Sequence, residues 1–301
     1  VQTSGVRAEE RQTAQMNRRS GTRWRGVVRR ATSAILWYVM LTGLAVLMIG
    51  PFLWLLATAF KSGSENIFEF PPKFLPEQPT WDNFIKVWNS HPFGRYLFNS
   101  TLVAVLTVLG NVIFCSLAAY PLARMKFRGR NVIFFAILST MMIPFQLTMI
   151  PVYLLALKLN LTNTYLGLVL PHAVTAFGIF LMRQAFLTVP KELEEAARMD
   201  GCNTFDIWWR ILLPLVKPSV TTLAIFTFVF SWSDFLWPLI ILNDPEMYTL
   251  PLGVAFLSNA FSSNWRLIAA GSIISIVPVI VLFLMLQRYF IRGSIQGALK
   301  G

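Results

Sequence analysis

Six stretches of this chain are apolar over enough consecutive residues to cross a bilayer as helices. They run Ile35–Ala59, Phe98–Tyr120, Val132–Tyr153, Tyr165–Met182, Val220–Leu242 and Leu267–Leu286. A helix rises about 1.5 Å per residue, so crossing roughly 30 Å of hydrocarbon takes about 20 residues with few charges. One or two such runs fit inside a soluble core. Six, separated by short polar segments, predict an all-α integral membrane protein with six transmembrane helices. The composition agrees, with 55% hydrophobic against 13% charged residues, well to the apolar side of a soluble domain.

Lys and Arg orient the helices, because short basic loops are retained in the cytoplasm. Of 26 such residues, 20 fall in the arm 1–34, around "RMKFRGR", in the segment 183–217 and in the tail. The other six, Lys61, Lys73, Lys86, Arg95, Lys158 and Arg266, lie in the alternate loops. Both termini are therefore expected in the cytoplasm, with the loops 60–97, 154–164 and 243–266 outside. The expected organisation is a basic arm (1–34), a first transmembrane helix (35–59), an outward loop (60–97), a transmembrane core (98–290) holding a cytoplasmic loop at 184–218, and a tail (291–301). A multi-pass membrane protein follows.

The net charge of +12 raises nucleic acid as a partner. A run such as "RRSGTRWRGVVRR" directly before a first membrane helix reads instead as a topology signal that contacts anionic membrane lipid. The first apolar run is about 25 residues long, longer than a signal core, and shows no convincing A-x-A site in a suitable position, so the helix is expected to stay attached. Cys115 falls within a span and Cys202 in a loop, which predicts two unpaired thiols. His91 and His172 have no second ligand at metal spacing, so no metal site is expected. No G-x-x-x-x-G-K-[ST] loop is present, so neither ATP nor another cofactor is expected on this chain, and no catalytic constellation stands out.

Pro51, Pro144, Pro171, Pro238 and Pro278 interrupt or end apolar runs. Each removes a backbone donor, which lipid tolerates only where neighbouring helices or a cavity satisfy the freed carbonyl. That favours a packed bundle enclosing a path, with Gly110, Ser116, Ala118, Ala119 and Gly271 allowing close helix contact. Asp234, in "FSWSDFLWPLI", is a costly group at membrane depth; it either lines a translocation path or fixes the kink near Pro238. Gln146 is a second path candidate, and Trp232 and Trp237 either offer stacking surfaces on that path or sit at the interface.

The segment "VPKELEEAARMDG" is punctuated as a short helix. Pro190 and the acids Glu192, Glu194 and Glu195 suit its N-terminal end, and Gly201 suits its stop. Leu193, Ala196 and Ala197 share one face, while Glu194 and Arg198 stand at i, i+4 on another. A second helix begins near Thr204 with Phe205, Trp208, Trp209 and Leu212 at i, i+3, i+4 and i+7, an apolar stripe that needs a partner. Five acids balance five bases between 183 and 217, so this helix-Gly-helix offers no face to nucleic acid.

Glu195, Ala196, Ala197, Gly201, Ile211, Leu213 and Pro214 match the spacing E-A-A, three residues, G, nine residues, I-x-L-P. That pattern resembles the "EAA" loop in membrane subunits of bacterial ABC importers. "RMKFRGR", "MMIPFQLTMIP", "SDFLWPL" and "QRYFIRGSIQGALKG" resemble the MalG-like, carbohydrate-uptake branch. The resemblance runs from about residue 35 to the end and implies a type I (MetI-like) permease fold. It implies as partners a second, MalF-like permease subunit, two ATP-binding subunits carrying ATP and Mg, an extracytoplasmic solute-binding protein and a sugar. It also implies that Glu194, Glu195, Ala196, Ala197, Arg198, Asp200 and Gly201 form a coupling helix docked on an ATPase, braced by the segment that ends at Ile211, Leu213 and Pro214. Glycerol 3-phosphate and compatible solutes are alternative cargoes. A membrane-embedded enzyme or a passive channel is the competing reading.

Overall fold

The structure, a computed structural model, describes residues 34–71, 73–259 and 262–298, with the backbone alone at 258–259, 262–263 and 286–298. The basic arm up to residue 33 and the last three residues of the tail lie outside the described residues. Two compact units, 1–57 and 58–301, are distinguished. The first is described from residue 34 as most of a single helix, α1 (Ala34–Phe60), apolar on every side as a lipid-exposed segment must be.

The second unit is helical. It comprises α2 (Asp82–Ser90), α3 (Phe93–Arg124), α4 (Arg130–Ser139), α5 (Phe145–Lys158), α6 (Tyr165–Val169), α7 (Ala176–Leu187), α8 (Glu192–Met199), α9 (Thr204–Asp206), a π-turn at Ile207–Leu212, α10 (Leu213–Leu215), α11 (Lys217–Ser233), α12 (Leu236–Ile241), α13 (Leu250–Phe256) and α14 (Trp265–Ala298). A two-residue antiparallel pair, β1 (Ser258–Asn259) with β2 (Ser262–Ser263), precedes α14. Among the described residues α1, α3 and α14 are long and apolar enough to span a membrane unbroken.

The other expected spans are bent pairs, and their breaks have local causes. The continuous helix expected over Val132–Tyr153 is interrupted at Pro144, where the 3₁₀ end of α4 and the start of α5 diverge by 101°. Pro144 has no N–H and forces Ile143 out of the helical region; Ile143 is extended, with ψ 111. The expected span Tyr165–Met182 bends by 51° between α6, with its 3₁₀ turn, and α7. There the Thr175 hydroxyl accepts from Gly178 N and restarts the helix. The span expected over Val220–Leu242 is divided as well: α11 ends at Ser233, Asp234 is extended, and α12 begins at Leu236. The third bend, of 82°, lies earlier, at Val216 between Thr204–Leu215 and Lys217–Ser233.

α3 is the axis of the bundle and packs chiefly against α7 and α11. Its 32 residues make it about 48 Å long, well beyond the hydrocarbon thickness, so its ends carry residues past the apolar zone. Gly178 sets its approach to α7, since a Cβ there would stand 2.7 Å from Cys115 Sγ and 2.8 Å from Asn111 Oδ1. Buried amides hold the breaks in place. Asn111 Nδ2 donates to His172 O and Thr175 Oγ1, and Asn99 Nδ2 donates to Glu246 O and Tyr248 O while its Oδ1 accepts from the Tyr165 hydroxyl. These bonds satisfy carbonyls that broken helices leave unpaired, as membrane depth requires.

The loop 60–97 is an organised cap. Asn83 on α2 donates to the carbonyls of Ala59 and Lys61 and so closes the end of α1. The Glu65 carboxylate accepts from the backbone N–H of Ser62, Glu77 and Gln78, and Arg266 donates to Glu65 O. Burial raises the Glu65 pKa, but these donors and the Ser62 hydroxyl outweigh it and hold the carboxyl below its ordinary value.

Candidate functional site: an anchored helix with one free face

α8 begins one turn after the chain leaves α7, with Glu192, Glu194 and Glu195 at its positive end and Arg198 in its last turn. It stops by a Schellman motif. Gly201 has φ +84, Gly201 N bonds to Arg198 O, and Cys202 N bonds to Ala197 O. A Cβ on Gly201 would meet nothing within 4 Å, so glycine is required there by its left-handed backbone and not by crowding.

The two faces of α8 have different fates. Ala197 is buried in the same core as Tyr120, Ala123, Phe186, Ile207, Trp208 and Leu212. Glu194 is also buried, at 4% exposure. Its Oε1 lies 2.7 Å from Arg124 Nε, at the C-terminal end of α3, and its Oε2 lies 3.7 Å from Arg198 Nη2. Arg124 additionally donates from Nη2 to Val189 O, so one guanidinium holds both the loop backbone and the helix. Leu193, Glu195, Ala196, Arg198, Met199, Asp200 and Gly201 remain exposed. Of the residues expected on the coupling surface, Glu194 faces inward onto Arg124, while Glu195, Arg198 and Asp200 are the exposed charges, Arg198 reaching back to Glu194.

The aromatic stripe also divides. Asn203 caps α9 by accepting from Phe205 N and Asp206 N, and the helix then widens into the π-turn. The wider turn changes the angular spacing, so Ile207, Trp208 and Leu212 point into the core while Phe205 and Trp209 are exposed. Ile211 and Leu213 are half-buried against the same core. Pro214 is exposed at the first turn of α10, where no donor is lost.

The candidate path residues are not gathered into one site. Gln146 is exposed in the first turn of α5. Trp232 is buried with its indole N–H on Ser275 O, and Trp237 is 1% exposed with its N–H on Gly167 O. Both tryptophans face the interior of this chain, and their donors tie separate elements together. Asp234 joins two breaks: its Oδ1 accepts from Trp237 N at 3.4 Å and its Oδ2 stands 3.6 Å from His172 Nε2. The His172 ring lies between Phe145 and Phe230, with centroids 5.0 and 5.2 Å away.

Two site residues, Arg124 and His172, carried only a topology charge and an absent metal site in the sequence reading. An ionisable group beside Pro171, within an apolar window that already needed a proline break, was the available signal for His172. For Arg124 the signal was weaker: a cation at the end of a long apolar run, with buried-face acids elsewhere in need of one.

Residues 111–295 match the family described as binding-protein-dependent transport system inner membrane component. The chain belongs to that family. The family is one of multi-pass membrane transport components, and its matched region contains both the anchored α8 and the His172–Asp234 pair. Relatives agree over almost the full length. The arabinooligosaccharides transport system permease protein AraQ of Halalkalibacterium halodurans is 38% identical over 279 residues, 91% of this chain and 100% of the relative. The sn-glycerol-3-phosphate transport system permease protein UgpE of Yersinia enterocolitica is 33% identical over 268 residues, 86% of this chain and 95% of the relative. A chain in the crystal structure of a bacterial ABC transporter involved in the import of the acidic polysaccharide alginate superposes with a TM-score of 0.76 at 28% identity, covering 85% of this chain and 96% of that one. The fold of this family member is therefore that of the MetI-like permeases.

Proposed function

We propose that this chain is one membrane-spanning half of an ATP-driven importer of an oligosaccharide, and that α8 is the surface on which an ATPase subunit acts. The observation that carries this reading is the division of α8 into a face fastened by Arg124, Glu194 and Ala197 and an exposed face of Glu195, Ala196, Arg198, Asp200 and Gly201. A lever needs both: one side that moves with the bundle and one that a partner can grip. Through the π-turn and Trp208, displacement of α8 would be delivered to α11.

In the proposed arrangement α1, α3, α4 with α5, α6 with α7, α11 with α12, and α14 make six spans, with both termini and α8 on the cytoplasmic side, in keeping with the positive-inside bias. A second permease subunit completes the path, two ATP-binding subunits carry ATP and Mg, and an extracytoplasmic binding protein delivers cargo to the side of the 60–97 loop. The exposed Gln146 is retained as the path candidate. The oligosaccharide assignment rests on the relatives named above, with glycerol 3-phosphate as the second cargo class.

Reconstitution tests it. The chain with its partner subunits in proteoliposomes is expected to accumulate an arabino-oligosaccharide only when ATP and the binding protein are both present. Uptake by this chain alone without ATP would overturn the transporter reading, and ATP-dependent uptake of glycerol 3-phosphate alone would replace the cargo.

A further inference from the structure

The loop between α3 and α4 is not simply a basic stretch of chain. It borders an open surface concavity of about 670 Å³, and Arg124, Lys126, Arg128, Arg130 and Lys191 all line it, with no acid among its lining residues. Arg124 is committed to Glu194 in the wall, and Arg130 closes the loop by donating to Met125 O. Lys126, Arg128 and Lys191 are exposed and form no ion pair with any described residue. The N-terminus of α4 opens on the same cavity. Its cap is Gly129, at φ +84, which supplies no side-chain acceptor, so the helix presents uncapped N–H groups to the cavity.

Orientation requirements explain how many bases this loop carries, but not their convergence on one concavity with an uncapped helix end. A concavity lined by cations and N–H groups fits a phosphate. What lies beside it selects the kind of phosphate. The residues of α4 that follow are exposed and apolar, with Val132 at 73%, and Ile133 and Phe135 also open. A headgroup seated among Lys126, Arg128 and Lys191 would thus have its acyl chains directed along a surface built to face hydrocarbon.

We infer that this cavity is a binding site for the headgroup of an anionic phospholipid, whose acyl chains lie along the outer face of α4. The lipid phosphate neutralises the bases beside the Arg124–Glu194 anchor, which ties the seating of α8 to the composition of the adjacent leaflet. The inference rests on the cytoplasmic placement of this loop proposed above.

The test counts lipids on the purified full-length chain in neutral detergent by native mass spectrometry, during titration with cardiolipin, phosphatidylglycerol or phosphatidylcholine. Cardiolipin or phosphatidylglycerol is expected to be retained roughly ten-fold or more strongly than phosphatidylcholine. Lys126→Gln/Arg128→Gln is expected to abolish that preference, and Lys191→Gln alone to reduce it. Arg18→Gln/Arg19→Gln, which removes the same charge from the N-terminal arm, is expected to leave it intact. Equal loss in the arm variant would overturn a built site in favour of general charge. Displacement of the lipid by millimolar inorganic phosphate would overturn a lipid in favour of a free anion. Variants that retain lipid but no longer co-purify with the ATPase would make the cavity a protein-docking face. Counting in detergent is independent of orientation, and accessibility labelling of Lys126→Cys in sealed cells reads the orientation by itself.

Discussion

Arg124 and Glu194 meet at 2.7 Å, one at the end of the bundle's axial helix and the other on the face of α8 turned away from solvent, with side chains 3% and 6% exposed. Glu194 has a second, longer contact to Arg198, and Arg124 a second acceptor in Val189 O, but the 2.7 Å pair is the main compensation of both charges. Removing one partner is therefore expected to cost up to about 3–5 kcal/mol, because the remaining ion stays buried with its main partner gone. Arg124→Met and Glu194→Gln should each lower the melting midpoint of the purified chain. Combining Arg124→Met with Glu194→Leu should cost less than the sum of the separate changes, whereas additive losses would show that the two do not act as a pair.

Glu195, beside Glu194 in sequence but exposed, is expected to behave oppositely. Glu195→Lys should leave the melting midpoint within about 0.5 kcal/mol of the parent, as an exposed substitution does, and abolish ATP-driven uptake. Gly201→Leu should do the same to uptake with an added stability loss of about 1–2 kcal/mol from its left-handed backbone. Undiminished uptake in both variants would remove α8 as the coupling surface.

His172 and Asp234 connect the break in one bent pair to the break between α11 and α12. Asp234→Leu leaves His172 without its facing oxygen and α12 without its acceptor, and is expected to cost about 1–3 kcal/mol. Asp234→Asn, which keeps an acceptor for Trp237 N, should lose less stability but alter the rate of uptake. Unchanged kinetics in Asp234→Asn over the working pH range would assign the residue to holding the kink alone.

The Glu65 clasp carries a pH dependence of definite sign. Its carboxyl has a folded-state pKa below the ordinary glutamate value. The clasp therefore contributes fully at neutral pH, and its contribution is lost as the pH falls through the folded value. Hydrogen-exchange protection of the amides of Glu77 and Gln78, measured relative to their intrinsic rates at each pH, should fall on acidification, and Glu65→Gln should remove most of that change. Identical acid sensitivity in Glu65→Gln would locate it elsewhere.

Some of this was legible in order along the chain, and some was not. The apolar runs and the stop at Gly201 depend on neighbours within a turn or two, and they read directly. The three bends were signalled by prolines, but their angles depend on how the carbonyls are satisfied from elsewhere, as Asn111 does for His172 from α3. The aromatic stripe at 205–212 was read with helical spacing, and the π-turn moved Phe205 and Trp209 outward. Glu194 looked like Glu195 because both are acids in a first turn; the partner that separates them arrives from the end of α3. Trp232 and Trp237 resembled ligand platforms by residue type, and only long-range bonds to Ser275 and Gly167 show them as struts.

The π-turn at Ile207–Leu212 has one more effect. With Ile207, Trp208 and Leu212 on one side and Phe205 and Trp209 on the other, the residues that keep the loop seated and those available to a partner are different residues. Foldability and surface chemistry can drift independently here: substitutions at Phe205 and Trp209 change what the loop offers outward while the residues that seat it stay the same.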